Sequence, residues 1–238
     1  MDERLEEVRA RLLVMSESAA ADGVPLRWFE ELYAGADGDW KEIPWANMQP
    51  NPVMMQWLSE YEIAGEASGG SFGPPVSRRV LVIGCGLGDD AVVLAETGFK
   101  VTAFDISETC IDWCRDRFPD SEVDWQVADL LKPSESWREA FDMVIEIHTL
   151  QAIPEEVRLE AAPIITTLLA PGGHLLCIGR LDDGGEPAVP PPPWPLRRDW
   201  LEQVFSDLES VGFREYVEED TPGVLRYVAG WIRPIATT

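Results

Sequence analysis

The chain has 238 residues, with 19 Lys+Arg against 43 Asp+Glu and a formal charge of −24. That balance excludes a nucleic-acid grip, which needs a basic patch or stripe, because the densest basic spots are pairs such as Arg78-Arg79 and Arg197-Arg198; anionic membrane surfaces are disfavoured for the same reason. At 45% hydrophobic residues the chain can bury a core, so the acidity is surface charge on a globular protein, and the length fits one domain.

No apolar run reaches the length of a membrane span, and the N-terminus, Met-Asp-Glu-Arg-Leu-Glu-Glu, is acidic where a secretory signal is positive. A soluble cytoplasmic protein is the expectation. Cys85, Cys110, Cys114 and Cys177 sit inside apolar or helical patterns, which fits small buried thiols better than a disulfide framework or zinc spacing; no metal site is expected.

In chain order, Leu5, Val8, Leu12 and Met15 have the spacing of one helical face and predict an amphipathic helix. A short aromatic helix follows on Trp28, Phe29, Leu32 and Tyr33, then an irregular stretch with Trp40, Trp45 and Pro50-Asn51-Pro52, then a linker from about Gly65 to Ser77. From Arg79 the pattern becomes apolar strands alternating with helices, which predicts a parallel sheet with crossover helices. Strands are expected near 80–84, 100–105, 122–127, 141–147 and 173–179. Ser107 is placed to cap the helix after the second strand, Pro154 with Glu155 and Glu156 opens another helix, and Pro171-Gly172-Gly173 ends it. After a proline-rich loop from Pro187 to Pro195, Leu201, Val204, Phe205, Leu208 and Val211 predict a helix closed by Gly212. Strands near 213–219 and 224–232 share only the turn at Thr221-Pro222-Gly223, so they must be antiparallel. Five parallel strands and a terminal hairpin make a seven-stranded, mostly parallel Rossmann-like α/β sheet with helices on both faces.

The strongest chemical signal is Val80-Leu81-Val82-Ile83-Gly84-Cys85-Gly86-Leu87-Gly88-Asp89-Asp90, a strand running into a glycine-rich turn and a helix start. Glycines there let a ligand approach the backbone at the C-terminal edge of the sheet. The dinucleotide fingerprint would need glycine where Asp89 stands, and acids at a helix N-terminus suit a cationic or zwitterionic ligand better than a pyrophosphate. Asp105, ending the second strand, can accept hydrogen bonds from both hydroxyls of a ribose. With Asp129 after the third strand, where an acid can bond an adenine amino group, it outlines an adenosine-shaped site.

The series Val-Ile-Gly-Cys-Gly-Leu-Gly-Asp-Asp, Phe-Asp-Ile-Ser, Ala-Asp-Leu and Leu-Ala-Pro-Gly-Gly resembles the class I S-adenosylmethionine-dependent methyltransferases over Arg79 to Arg180. Ile43-Pro44-Trp45, Gln49-Pro50-Asn51-Pro52, the run Phe141 to Pro154 and Pro-Pro-Trp-Pro-Leu are similar to the thiopurine, thiol and halide methyltransferase group; Ala46, where many members carry an acid, departs from it. The resemblance implies S-adenosyl-L-methionine as cofactor, with S-adenosyl-L-homocysteine as product. It implies the methionine end against Gly84, Cys85, Gly86 and Gly88, the ribose on Asp105, adenine by Ile106, Asp129 and Leu130, and Glu146 along the site. Trp45 and Trp40 would pack over the sulfonium, a cation that a π face stabilises. Residues 1–78 would form a lid and linker and 79–238 the methyltransferase domain, one compact unit together. Trp28, Phe29, Tyr33, His148 and Trp194 would line the substrate pocket, although Trp28, Phe29 and Tyr33 equally have the spacing of a core staple. His148, just past the fourth strand, is the candidate proton acceptor or substrate contact.

The function implied is methyl transfer to a small molecule, a thiol or other soft nucleophile first. An N- or O-methyltransferase of a small natural product and a non-catalytic S-adenosylmethionine-binding module are the alternatives. The expected partner is a small-molecule substrate, with neither nucleic acid nor membrane, in a monomer or homodimer.

Overall fold

The computed structural model describes residues 3–67, 78–185, 192–219 and 221–235; most of the predicted linker and the first prolines of the proline-rich loop lie outside them. Five strands, β1 (Arg79–Ile83), β2 (Lys100–Asp105), β3 (Asp124–Val127), β4 (Phe141–Ile147) and β5 (Leu169–Asp182), run parallel. A two-residue strand β6 (Leu196–Arg197) pairs with the end of β5, and β7 (Glu209–Val217) and β8 (Leu225–Ile232) close the sheet as an antiparallel hairpin. The order β3-β2-β1-β4-β5-β8-β7 gives the seven strands expected, with β6 as an eighth off that path.

Order reverses between β1 and β4, so the turn after β1 and the end of β4 face a common crevice at the C-terminal edge, where open α/β sheets bind ligands. Strands β1 and β4 are buried on both faces, hence their near-continuous apolar runs. On one face they pack with α6 (Thr149–Ala152), α7 (Glu155–Leu168) and α8 (Arg198–Val204). On the other they pack with α3 (Pro52–Ala67), α4 (Asp89–Glu96) and α5 (Glu108–Arg117). A third apolar cluster joins α1 (Glu3–Ala21) and α2 (Arg27–Ala36) to Leu87 and Cys110, so the N-terminal segment sits over the glycine-rich turn.

Three expectations are corrected. The stretch after Pro50-Asn51-Pro52 is helical: the Asn51 side chain accepts hydrogen bonds from the N–H groups of Val53 (2.9 Å) and Met54 (3.1 Å), so Asn51 caps α3 and Pro52 opens it. The last helix stops at Val204, because residues 209–217 pair with β8 instead of continuing its apolar stripe. Helix α7 ends at Leu168, ahead of Pro171, and Pro154 is its N-cap.

Ser107 caps α5 as expected, accepting from Cys110 N at 3.0 Å. Its hydroxyl donates at 2.6 Å to Glu30 of α2, whose carboxylate also takes Thr109 Oγ1 at 2.5 Å, so one cap ties lid to sheet. Ser107→Ala should cost about 1–2 kcal/mol in urea unfolding, since it removes both the cap and the Glu30 contact.

Candidate active site

Gly84, Gly86 and Gly88 have φ of 57, 52 and 89°, the left-handed region that only glycine enters without strain. A side chain at Gly84 would run into Thr149, whose hydroxyl donates to Ile83 O at 3.0 Å; one at Gly88 would meet Trp125 at 2.7 Å. At Gly86 it would only touch the Tyr33 hydroxyl and the Trp45 indole, at 3.6 and 3.9 Å, so this peptide faces the aromatic lid.

Helix α5 holds the turn from beneath with one stripe. Cys110 and Cys114 Sγ lie 3.0 and 3.1 Å from Gly86 O. One turn on, Arg117 donates to Leu87 O and forks onto Asp89 at 2.9 and 3.0 Å. Asp90 accepts Asn51 N at 2.6 Å, tying α3 to the same turn. Both acids that made the helix start look anion-hostile are therefore engaged within the protein.

Asp105 is buried at the end of β2 and accepts from Gly86 N (3.2 Å) and Ser107 N (3.1 Å). Burial pushes its pKa up from 3.8 to about 6, against the two N–H bonds that lower it. A carboxylate so placed has unmet demand for donors, and two ribose hydroxyls supply them. Ile106 and Asp129 are half-buried at the same edge, Asp129 turning one oxygen onto Leu131 N at 2.9 Å, and Leu130 is buried. The glycine cradle, the buried acid and the aromatic cover fit S-adenosylmethionine.

Trp45 donates to the Tyr33 hydroxyl at 2.9 Å and meets Trp28, Phe29 and Tyr33 edge-on at about 6 Å. Trp28 and Tyr33 are buried inside this cluster and staple the lid; Phe29 is only partly buried. Trp40 is 38% exposed, with Lys41 Nζ 6.0 Å from its ring.

At the end of β4, Glu146 accepts Leu150 N at 2.9 Å with one carboxylate oxygen, capping α6, while its other oxygen is buried without a hydrogen-bond partner. Burial raises it to about 7. His148 takes φ 63° at the start of α6, its N–H bonding Ile178 O at 3.0 Å. Its Nδ1 is buried without a hydrogen-bond partner. Its pKa falls to about 4, first through burial and then through the cations Arg226 and Arg180, which pair directly across β8 and β5. Gln151 accepts Arg180 N at 2.6 Å, and its own carbonyl accepts Trp194 N at 2.7 Å, which brings the end of the proline-rich loop to the same place. Sequence reading missed Glu30, Thr149, Gln151, Arg180 and Arg226; only the Arg180–Arg226 register, fixed once β5 and β8 pair, could have signalled the last two.

Among the described residues no group of three or more His, Cys, Asp or Glu is arranged to hold a metal ion, and no helix is long and apolar enough to cross a membrane. The fold is that of class I S-adenosylmethionine-dependent methyltransferases, and residues 80–173 match the family described as "Methyltransferase domain". The chain is 26% identical over 163 residues to ubiquinone biosynthesis O-methyltransferase of Aeromonas salmonicida, covering 68% of this chain and 60% of that one. It is 30% identical over 149 residues to thiocyanate methyltransferase 1 of Brassica oleracea, covering 60% and 62% respectively. The alignments thus span less than two thirds of these curated relatives. In structure, it is similar to the N-methyltransferase NodS of Bradyrhizobium japonicum in complex with S-adenosyl-L-homocysteine, with a TM-score of 0.60 and 20% identity over 88% of this chain and 98% of that one.

The folded-state pKa of Asp105 exceeds its reference value, so the folded state binds the proton more tightly between pH 4 and 6, and this residue's contribution to stability falls as pH rises through that window. Relative to wild type, Asp105→Ala should therefore gain about 2 kcal/mol between pH 4 and 6, rising to about 3 well above both pKa values, measured by urea unfolding of the ligand-free proteins at each pH.

Proposed function

We propose that this protein is an enzyme that transfers a methyl group from S-adenosylmethionine to a small molecule, a thiol or other soft nucleophile first. The observation that carries the choice of acceptor is His148, whose pKa of about 4 leaves it neutral and a weak base at pH 7. An alcohol needs a strong base to become a nucleophile. A thiol ionises near pH 8.5 unaided, and cations beside it lower that further.

Bound cofactor supplies a methyl carbon already activated by the adjoining sulfonium. The chain's residues then have to align and dry the reacting groups. The Gly84–Gly88 turn and Asp105 hold the cofactor. Trp45 lies over Gly86, where an aromatic face favours a cation. His148 Nδ1 accepts a hydrogen bond from the incoming thiol, and Arg226 with Arg180 stabilises the thiolate left when its proton passes to solvent. Residues 1–78 act as lid, and Trp194 forms the opposite rim. The thiocyanate methyltransferase relative, with its sulfur-bearing acceptor, supports this reading.

The surface charge of −24 repels small anions, though screening confines that field to about 8–10 Å. Acceptors that arrive neutral and ionise inside, thiols and heteroaromatic thiones, are favoured over free halide. A cytoplasmic setting suits these reduced substrates. The O-methyltransferase relative favours a second reading, an N- or O-methyltransferase on a small natural product.

A panel of thiols, phenols, amines and halides with methyl-labelled cofactor separates these. Thiols should be turned over fastest, with His148→Ala reducing kcat/KM by roughly tenfold while leaving cofactor affinity intact. Halide turnover above every thiol, or near-complete loss in His148→Ala with a phenol as best substrate, would overturn the assignment.

A further inference from the structure

Three sulfurs beneath the glycine-rich turn take no part in the chemistry above. Cys85 lies in the turn, half-buried, while Cys110 and Cys114 are buried one helical turn apart on α5; all are free thiols. They converge on one acceptor, Gly86 O, at 3.8, 3.0 and 3.1 Å. Sharing that carbonyl brings the Cys85 and Cys110 sulfurs beside that of Cys114. The neighbouring Cys110 and Cys85 thiols, and after them the charge of Arg117, favour negative charge on Cys114: its pKa falls to about 5, whereas those of Cys85 and Cys110 rise well above the ordinary thiol value.

We propose that Cys85 and Cys114 form a reversible disulfide with hydrogen peroxide as oxidant, and that this bond switches off cofactor binding by pulling the glycine-rich turn onto α5. The Cys114 thiolate attacks one peroxide oxygen and the O–O bond breaks. The departing hydroxide takes a proton to become water, and Cys114 is left as sulfenic acid. The Cys85 sulfur then attacks Cys114, the S–O bond breaks, and hydroxide leaves with the Cys85 proton as a second water. Two thiols and one peroxide thus give one disulfide and two waters, the two electrons passing to the peroxide.

Cys85 is the partner on geometric grounds. Residues four apart on a helix hold their Cβ atoms about 5–6 Å apart, beyond the roughly 3.5–4.5 Å of a disulfide, so a Cys110–Cys114 bond would have to distort α5. Cys85 is also the least buried of the three, so the oxidant enters on its side. Closing the bond shifts the peptide of Gly86, whose N–H bonds Asp105. This inference rests on the cofactor lying over that turn, and bound cofactor then shields the thiols.

The reduced full-length protein is treated with hydrogen peroxide, with and without excess S-adenosylhomocysteine, then alkylated, digested and weighed, and parallel samples are titrated with S-adenosylhomocysteine by calorimetry. A Cys85–Cys114 linked peptide should form, slowed by the ligand, with affinity lowered at least roughly tenfold and restored by dithiothreitol. Cys114→Ser should form no linkage, whereas Cys110→Ser should still form it. A Cys110–Cys114 link, irreversible oxidation without a link, or unchanged affinity in the linked protein overturns the proposal. Failure of the reduced protein to bind S-adenosylhomocysteine contradicts instead the functional reading beneath it, and the disulfide is still scored by mass.

Discussion

The peptide of Gly86 is held from both sides, its N–H by the carboxylate of Asp105 and its carbonyl by the Cys110 thiol of α5, and the crevice depends on that clamp. Holding Asp105 ionised in the folded protein costs about 3 kcal/mol more than in the unfolded chain, judged from its raised pKa. The fold tolerates this because the acid is positioned by two N–H groups while still short of donors, which prepares it for a ligand that brings hydroxyls. The stripe Cys110, Cys114, Arg117 fixes the turn's height above α5, and Glu30 anchors the aromatic lid to the first turn of that helix. Turn, acid and lid are therefore coupled through one ten-residue helix.

Net charge describes the surface of this protein more than its crevice. Near the site, Asp89 is neutralised by Arg117 and Asp90 is spent on Asn51 N. Beside His148 the sign reverses, since Arg180 and Arg226 face each other across β5 and β8 and add to burial in depressing its pKa. Arg226 is shared with Glu218 at 2.8 Å, which holds its guanidinium in place without removing its influence on the histidine. Such a local field favours an acceptor that becomes anionic inside.

Much of the fold was legible because β1, β2 and β4 announce themselves as buried apolar runs ended by Gly84, Asp105 and His148, and the hairpin is dictated by a turn too short for a crossover. Helix α3 was hidden because Pro50-Asn51-Pro52 reads equally as a loop or as a cap followed by a first-turn proline, and only the Asn51 bonds decide. The overlong last helix arose because Leu208 and Val211 continue a helical period, yet pairing with β8 wins. Trp45 reaches the turn because Tyr33 holds its indole there, a contact no local pattern announces. Gln151 and Arg226 carried no local signal: their roles come from neighbours distant in sequence.

The most direct measurement is calorimetric titration of S-adenosylhomocysteine into the wild-type protein and Asp105→Ala under reducing conditions. The account predicts one site per chain in wild type, and an affinity weakened by roughly 1–3 kcal/mol in the variant through lost charge-assisted hydrogen bonds. No heat of binding in wild type, or equal affinity in both, would contradict it.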